Sequence, residues 1–421
     1  MTRMGRREAG AQTPRNLRAM LAEAKDASEL MVDLAYTSLY FADPDMAEFV
    51  DELREELDDL AQDMRAVCVL AARSPKEAEA MASVLRVVGA IERIAAAAAD
   101  IAHIVTHRLG IPRPLVSDLA GAEEVSHRVR VREGSAMDQR SLADVELPTE
   151  TGMSVVAIRR GERNWITDVD GEEILMAGDV VFLQGLSEGI PELRRLAGAP
   201  EWVPYTAEDS PALSDLDRAV DVLVEMKNTS ELAVGLAYSA LVLRDAGLAA
   251  EVTSLEDRLD QMQEQLQSWV LRAARDQADP DTLRGLLHLS RSAEELGDAA
   301  AQMVWLVEEG EELHPILAVA LGEAEEVVAR VPVAVGSPAD GRSLRELQLE
   351  TETGFNVLAV RREGRAVYRP RPDLVLAVGD EIIATGPDEG HRLLAELCGY
   401  QLIEDEETGS DELVPAGQAK P

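Results

Sequence analysis

A chain of 421 residues with a formal net charge of −38 cannot neutralise phosphate groups broadly, which argues against general binding to nucleic acid or anionic lipid. Its two cysteines, Cys68 and Cys398, lie far apart and provide neither a disulfide framework nor a metal-ligand spacing, so a reduced, cytoplasmic compartment is expected. Neither a signal peptide nor a run of about 20 apolar residues is recognisable, which predicts a soluble protein.

Lysine is rare in this chain. Only four of the 41 basic residues are lysines, namely Lys25, Lys76, Lys227 and Lys420. An acid-rich, lysine-poor surface suits concentrated salt, where the Debye length falls to about 3 Å and self-repulsion is screened. The composition therefore predicts a protein from a halophile. An acidic protein from a mesophile is the alternative, but it would not explain the loss of lysine alone.

The first hundred residues show the apolar periodicity of helices. One helix is predicted from Arg15 to Asp43, and a second follows Pro44. The third begins at Ser74 and Pro75, with Glu77 completing a capping box. Three helices of about 25–30 residues joined by short turns pack antiparallel as a bundle.

The next hundred residues predict a small α+β domain with three or four strands. Apolar and basic residues alternate from His127 to Arg132, which is typical of a half-buried strand. Further along the chain we predict short helices, strands and turns, namely a helix at 115–124, a helix at 141–146, a strand at 154–159, a hairpin around Gly161 returning through Trp165 and Ile166, the strand VVFLQG after Asp179, and a helix at 187–196.

The whole pattern occurs twice. RSLADVELPTETGMSVVAIRRG, starting at Arg140, returns 202 residues later as RSLRELQLETETGFNVLAVRREG, starting at Arg342. The same offset relates Lys25 to Lys227 and Tyr36 to Tyr238 in the helical halves. Such a period indicates duplication. The predicted fold class is α+β, a duplicated module of a three-helix bundle and a small α+β domain, with domains at 15–112, 113–199, 212–312 and 313–403.

The second bundle should repeat the first, with helices at about 215–244, 249–277 and 281–309. Residues 198–211 contain three prolines and are predicted to form a linker. Residues 1–14 and the acidic tail from Glu404 are predicted to be disordered.

Arginines gather at one place in each α+β half. Five lie within eleven residues of the second half, namely Arg361, Arg362, Arg365, Arg369 and Arg371. The first half has Arg159 and Arg160 at the matching strand, and Arg128 of the preceding strand matches Arg330. Guanidinium groups offer paired donors to phosphate or carboxylate. These residues, Arg128, Arg159, Arg160, Arg330, Arg361 and Arg362, are the candidate binding site for an anionic ligand.

Strand geometry and the charge of the chain both bear on the role of these arginines. Neighbouring residues of a strand point to opposite faces, so only one of Arg159 and Arg160 can reach a shared cleft. The arginines could instead neutralise the acidic groups of this protein or of a partner.

A second candidate site lies on the third helix of the second bundle. Glu294 and Asp298 are four residues apart, so their carboxylates share one helix face, as a hard or borderline cation would require. The first bundle has Glu92 and Ala96 at these positions, with Asp100 one turn further on. A solvated acidic face is the alternative interpretation. The histidines are scattered and no catalytic motif is recognisable, so we do not expect an enzyme.

The α+β halves resemble the TrkA C-terminal domain, the second domain of regulators of potassium conductance. The resemblance rests on RSL, TETG, VVAIRRG and AGDVVFLQG in the first copy, and on RSL, TETG, VLAVRREG and AVGDEIIATG in the second. The helical halves resemble PhoU-like bundles, whose acidic metal-binding motif falls on Glu92-Arg93-Ile94 and on the segment from Glu294 to Asp298. Ala96 departs from that motif. The duplicated combination resembles an archaeal family linked to cation transport.

These resemblances imply a regulatory protein. TrkA C-terminal domains usually dimerise and bind a small anionic effector, which in some relatives is cyclic di-AMP. The resemblance implies a membrane-embedded cation channel or transporter as partner, and a homodimer or an internal pseudo-dimer. The Rossmann domain that usually accompanies these domains is absent, so NAD or ATP sensing by that route is not expected. The alternatives are a PhoU-type regulator of phosphate uptake or signalling with a divalent metal on its bundles, and a scaffold without a ligand.

Overall fold

The computed structural model describes most of the chain. The described residues are 16–110, 124–145, 147–161, 164–167, 169, 171–186, 189–200, 215–275, 280–310, 313–322, 324, 326–362, 365–368, 370–404 and 411–416. The segment predicted as disordered at 1–14, residues 115–123 of the helix predicted at 115–124, and most of the linker at 198–211 lie outside these residues. Glu124, predicted as the last residue of that helix, instead begins a strand.

The elements of the two copies follow the same order. The first copy contains α1 (Leu17–Phe41), α2 (Pro44–Ala71), α3 (Pro75–Thr106), β1 (Glu124–Arg130), α4 (Leu142–Val145), α5 (Leu147–Thr151), β2 (Met153–Arg160), β3 (Asn164–Ile166), β4 (Val180–Leu186) and α6 (Ile190–Leu196). The second contains α7 (Asp215–Leu243), α8 (Ala246–Ala273), a 3₁₀ turn (Pro280–Leu283), α9 (Arg284–Glu308), α10 (Pro315–Leu321), β5 (Glu326–Pro332), α11 (Leu344–Leu347), α12 (Leu349–Thr353), β6 (Asn356–Arg362), β7 (Arg365–Tyr368), β8 (Glu381–Pro387), α13 (Asp388–Leu397), β9 (Tyr400–Glu404) and β10 (Asp411–Pro415).

Contacts divide the chain into two units. One contains both helical bundles, and the other contains both α+β domains. Like halves of the two copies therefore associate with each other. In the part of the chain that the structure describes, no helix combines the length and the apolar character that a membrane span requires.

Local sequence explains where the helices begin. Ser74 accepts a hydrogen bond from the backbone N–H of Glu77 at 3.3 Å, and Pro75 occupies the first turn, as predicted. The Glu77 carboxylate accepts from the backbone N–H of Arg73, one residue earlier than a capping box requires. The third helix of the second copy differs from expectation, because a 3₁₀ turn from Pro280 precedes it and α9 starts only at Arg284.

The helical unit is held together across the copies. Helices α3 and α9 pack directly against each other, and α10 packs on both α1 and α7. Most of the apolar residues of these helices are fully buried, including the alanine-rich stretch of α3. The two bundles thus form one core, which is the arrangement expected of an internal pseudo-dimer.

Two of the four lysines lie inside this core, at equivalent positions. Lys25 is 1% exposed, and its Nζ lies 2.5 Å from Glu29 and 5.3 Å from the ring centre of Tyr238 in the other copy. Lys227 repeats the arrangement, with its Nζ 5.2 Å from the ring centre of Tyr36. Each copy therefore contributes one lysine and one tyrosine to a reciprocal pair of cation–π contacts.

The tyrosine hydroxyls complete these contacts. The Tyr238 hydroxyl lies 2.7 Å from Ser28 Oγ, and the Tyr36 hydroxyl lies 3.3 Å from Ser230 Oγ. Burial raises the pKa of both phenols, so both stay protonated and can donate.

Removing the two tyrosine hydroxyls one at a time should destabilise the helical unit to different extents. We expect Tyr238→Phe to lower the free energy of unfolding by about 1 kcal/mol, because it leaves the buried Ser28 hydroxyl without its tyrosine partner. Tyr36→Phe should cost less, because its hydrogen bond is longer. Urea denaturation of the two variants tests this order, and equal losses would contradict it.

Each α+β domain is built on a four-stranded sheet. The strand orders are β1-β4-β2-β3 and β5-β8-β6-β7, at the upper end of the predicted three or four strands. In the second sheet Arg330 lies opposite Ile383, and Ile383 lies opposite Ala359. Helices α5 and α12 contact each other, so the two domains also associate through equivalent elements.

The repeated Thr-Glu-Thr-Gly motif closes these short helices. Thr151 Oγ1 donates to the carbonyl of Leu147 at 2.6 Å and accepts from the N–H of Met153. Gly152 then adopts a left-handed φ of 66°. A Cβ on Gly189 would lie only 1.6 Å from the Thr151 carbonyl oxygen, so glycine is required where α6 begins. The motif is structural in origin.

The acidic tail is more ordered than predicted. Strand β10 pairs antiparallel with β9, with Asp411 opposite Glu404 and Pro415 opposite Tyr400. The prediction of disorder from Glu404 did not allow for the adjacent apolar residues Leu413 and Val414, of which Leu413 packs on the core of the second α+β domain.

Candidate functional site

The second arginine of each predicted pair is held by a buried aspartate. Arg160 at the end of β2 lies 2.8 Å from Asp179 and 3.0 Å from Glu173, and it also donates to the carbonyl oxygen of Ile174. Asp179 is 2% exposed and accepts in addition from the N–H of Met176 at 2.9 Å. This ion pair fastens the turn before β4 to the end of β2.

The second copy repeats this arrangement. Arg362 donates through Nε and Nη2 to the two carboxylate oxygens of Asp380 at 2.7 and 2.6 Å, and to the carbonyl oxygen of Val375. Asp380 is fully buried and accepts from the N–H of Ala377. A bidentate pair of this kind occupies guanidinium N–H groups that an anionic ligand would otherwise use as hydrogen-bond donors. Arg160 and Arg362 therefore hold the domain together, whatever else they do.

The first arginine of each pair points to the other face of the sheet. Arg159 lies over the rings of Trp165 and Phe182, 5.4 and 5.6 Å from their centres. Arg361 makes a longer contact with Glu381, at 3.5 Å. As strand alternation requires, only one member of each pair shares this face.

The arginines of the neighbouring strands join the same face. Because Arg330, Ile383 and Ala359 are aligned across three strands, their side chains share a face, and Arg361 lies two residues beyond Ala359 on that same face. Standard sheet spacings place the Cα atoms of Arg330 and Arg361 roughly 12 Å apart. Arg128 is exposed on β1 at the equivalent position of the first copy.

The aspartate partners of the arginines were not predicted, although the sequence contains a signal for them. Gly178-Asp179 and Gly379-Asp380 repeat at the same place in each copy, as the arginine pairs do. A repeated acidic residue that begins a strongly apolar strand needs a buried counter-charge, and the repeated arginine supplies it.

The predicted carboxylate pair lies in a cleft of the helical unit. Glu294 and Asp298 both line a cleft of about 810 Å³ between α3, α8 and α9. Burial raises the pKa of Glu294, and the neighbouring charges of Asp298 and Asp260 raise it further. Gln263 donates to Glu294 at 3.3 Å. The structure therefore brings the two predicted ligands together on one face.

An arginine from the other copy also enters this cleft. Arg93 on α3 donates from Nη2 to Asp298 at 2.9 Å and from Nη1 to Gln302 at 2.8 Å. Within the described residues, no group of three or more histidine, cysteine, aspartate or glutamate side chains is placed to hold a metal ion. Arg93 lies in the stretch that resembles the acidic motif, but its contact with the other copy was not predicted from the sequence.

The equivalent place in the first bundle has a different composition. Arg65 on α2 donates to Glu92, the counterpart of Glu294. Ala96 replaces the second carboxylate, and Gln267 stands where the first copy has Arg65. The two copies have thus diverged at the same position, each with one arginine on one carboxylate.

Two domain families match the chain, and both match it twice. The TrkA-C domain matches residues 127–198 and 328–399, and the PhoU domain matches residues 21–105 and 223–307. Together these matches cover more than half of the chain, in the order that the duplication predicts.

Individual proteins are similar over parts of the chain. The ammonium/H⁺ antiporter subunit AmhM of Alkalihalophilus pseudofirmus is 26% identical over 123 residues, which is 29% of this chain and 72% of that protein. PhoU of Pseudomonas aeruginosa is 16% identical with a TM-score of 0.40, covering 69% of this chain and 93% of that one. PhoU of Streptococcus pneumoniae is 13% identical with a TM-score of 0.39, covering 70% and 94%.

Proposed function

The chain belongs to the proteins that combine PhoU and TrkA-C domains in tandem, and on that premise we propose that it regulates a membrane transporter or channel for potassium or another monovalent cation. It acts from the cytoplasm, as a sensor without a catalytic role. The similarity of 123 residues to an antiporter subunit supports a cation transporter as the partner. The observation that carries the proposal is the arginine-bearing sheet face, present in both copies of the TrkA-C domain.

The ligand we propose for this face is a small anion of nucleotide size, such as cyclic di-AMP. Arg330 and Arg361 share a face roughly 12 Å apart at their Cα atoms, and side chains of this length can converge on one ligand with separated phosphates. In the first copy Arg159 lies beside the half-buried ring of Trp165, which suits a ligand with a flat base.

Ligand binding would act by changing the relative populations of two arrangements of the protein. A ligand can bias two arrangements of the protein only by the difference between its affinities for them. The contact between α5 and α12 joins equivalent elements of the two TrkA-C domains, so a ligand on either domain lies within the unit that both copies share. The regulated transporter would respond to the arrangement that the ligand favours.

A thermal unfolding assay tests the ligand site. In concentrated KCl, cyclic di-AMP should raise the unfolding midpoint of the wild-type protein, by the equivalent of about 2.7 kcal/mol at a hundredfold excess over its dissociation constant. The double variant Arg330→Gln/Arg361→Gln should lose this rise, because it removes two guanidinium groups from the shared face.

The matched control is Arg392→Gln, which removes one exposed positive charge from α13 of the same domain. This variant should keep the wild-type response. If the Arg330/Arg361 variant responds to cyclic di-AMP as the wild type does, the proposed face is not the ligand site. ATP and inorganic phosphate are measured in parallel to define the class of anion.

The PhoU matches support a second candidate, a regulator of phosphate uptake or signalling. This candidate predicts a response to inorganic phosphate or to a divalent metal that the arginine variants do not change. A rise of the midpoint with phosphate alone would favour it over the cation-transport proposal.

A further inference from the structure

One carboxylate of the acidic pair in the second bundle, that of Asp298, is paired with a cation that the protein itself supplies. Arg93 comes from the first copy and donates to Asp298 and Gln302 of the second. Both side chains of the Arg93–Asp298 pair are about two-fifths exposed, with Arg93 at 43% and Asp298 at 39%. The guanidinium group therefore lies at the mouth of the cleft that Glu294 lines, between α3 and α9.

A metal on this acidic motif is what the PhoU resemblance implies, and the residues present do not fit one. A hard divalent cation can be held by two carboxylates with water completing its coordination shell, provided that neither carboxylate is already paired with a cationic side chain. Among the described residues, three carboxylates line the cleft, namely Glu294, Glu295 and Asp298, and two of them are already paired with arginine, Glu295 with Arg291 and Asp298 with Arg93. In the first bundle Ala96 removes the second carboxylate altogether.

In the first bundle, too, an arginine is paired with a carboxylate of the acidic motif. Its remaining carboxylate, Glu92, accepts from Arg65, whose counterpart in the second bundle is the neutral Gln267. Each bundle thus pairs one carboxylate of its acidic motif with an arginine from another helix, Arg65 from within the copy and Arg93 from across the copies. If no metal ion binds at these sites, another positive charge must balance the carboxylates. An arginine at each site supplies that charge.

We infer that arginine has taken the place of the metal in both bundles, and that Arg93 in particular blocks a divalent cation from the pair formed by Glu294 and Asp298. The guanidinium offsets the negative charge of the pair and at the same time ties α9 to α3 of the other copy. Through Asp298, the acidic pair therefore contributes to the contact between the copies in this protein.

Equilibrium dialysis against Mn²⁺ in concentrated KCl tests the inference, because Mn²⁺ accepts carboxylate ligands readily and high salt suppresses diffuse binding to an acidic surface. The wild-type protein should retain no stoichiometric Mn²⁺. Arg93→Gln should gain up to one Mn²⁺ per chain, and the triple variant Arg93→Gln/Glu294→Gln/Asp298→Asn should lose it again.

Arg65→Gln is the matched control. It frees a single carboxylate, Glu92, which has Ala96 four residues further along the helix where Glu294 has Asp298, so this variant should gain no Mn²⁺. Stoichiometric Mn²⁺ on the wild-type protein that disappears in Asp298→Asn would overturn the inference. It would also be overturned if Arg93→Gln gained no Mn²⁺, because Arg93 would then not be what excludes the ion. Thermal unfolding of each variant without metal shows that it is folded.

Discussion

Arg362→Gln is expected to lower the free energy of unfolding of the second TrkA-C domain by about 2 kcal/mol, while Arg361→Gln, one residue away, lowers it by less than about 1 kcal/mol. The difference arises from the partners. Asp380 is fully buried and would be left with only the N–H of Ala377, whereas Glu381 is partly exposed and lies 3.5 Å from Arg361. Guanidinium chloride denaturation, followed by circular dichroism, measures both values.

The matched pair in the first copy gives an independent check. Arg160→Gln should be costly because Asp179 is buried, and Arg159→Gln should cost less because Arg159 contacts aromatic rings. If all four variants were equally stable, the assignment of a structural role to Arg160 and Arg362 would be wrong. The same four proteins, assayed with cyclic di-AMP, separate loss of stability from loss of binding.

The second large effect concerns the lysines of the helical core. Lys25→Met should destabilise the helical unit by about 2–3 kcal/mol, because it leaves the carboxylate of Glu29 mostly buried without its counter-charge. The double variant Lys25→Met/Glu29→Leu should recover most of this loss, since removing both charges also removes the cost of burying them. Urea denaturation of the single and double variants measures both, and a double variant as unstable as the single one would contradict the explanation.

The single variant should also show a distinctive dependence on pH. Burial raises the pKa of Glu29 above its ordinary value of 4.5, and Lys25 partly opposes that rise. Without Lys25, folded Glu29 holds its proton to higher pH than the unfolded chain does. Its favourable contribution is then fully present below about pH 4.5 and is lost as the pH rises through the folded pKa. The deficit of Lys25→Met relative to the wild type should therefore shrink as the pH falls towards 4.5.

Much of the fold could be predicted because the local signals are strong and occur twice. Ser74 and Pro75 mark the start of α3, and the apolar spacing of the bundle helices follows the helical period. The alternation from His127 to Arg132 predicts β1. The repeat also predicts that like domains pair, since each copy carries both sides of the contacts between Lys25, Lys227 and the tyrosines.

The details of the candidate sites could not be predicted, because they depend on contacts between residues far apart in the chain. Arg93 and Asp298 are brought together only by the packing of α3 on α9. Asp179 and Asp380 each stand just before a central strand of the sheet. Their pairing with Arg160 and Arg362 becomes apparent only when this strand is aligned with the neighbouring strand that carries the arginine. The faces that separate Arg361 from Arg362 did follow from strand alternation alone.

Joining the two bundles in one polypeptide removes their dependence on protein concentration. Two halves on one chain meet at a high effective concentration, so they do not separate on dilution as independent subunits would. Covalent linkage also allows each half to accumulate its own substitutions. In a true homodimer every mutation appears twice, but here Ala96 and Asp298 could diverge and each could receive its own arginine. The same freedom extends to the two arginine-bearing faces, which could evolve different affinities and so extend the range of ligand concentrations over which one molecule responds.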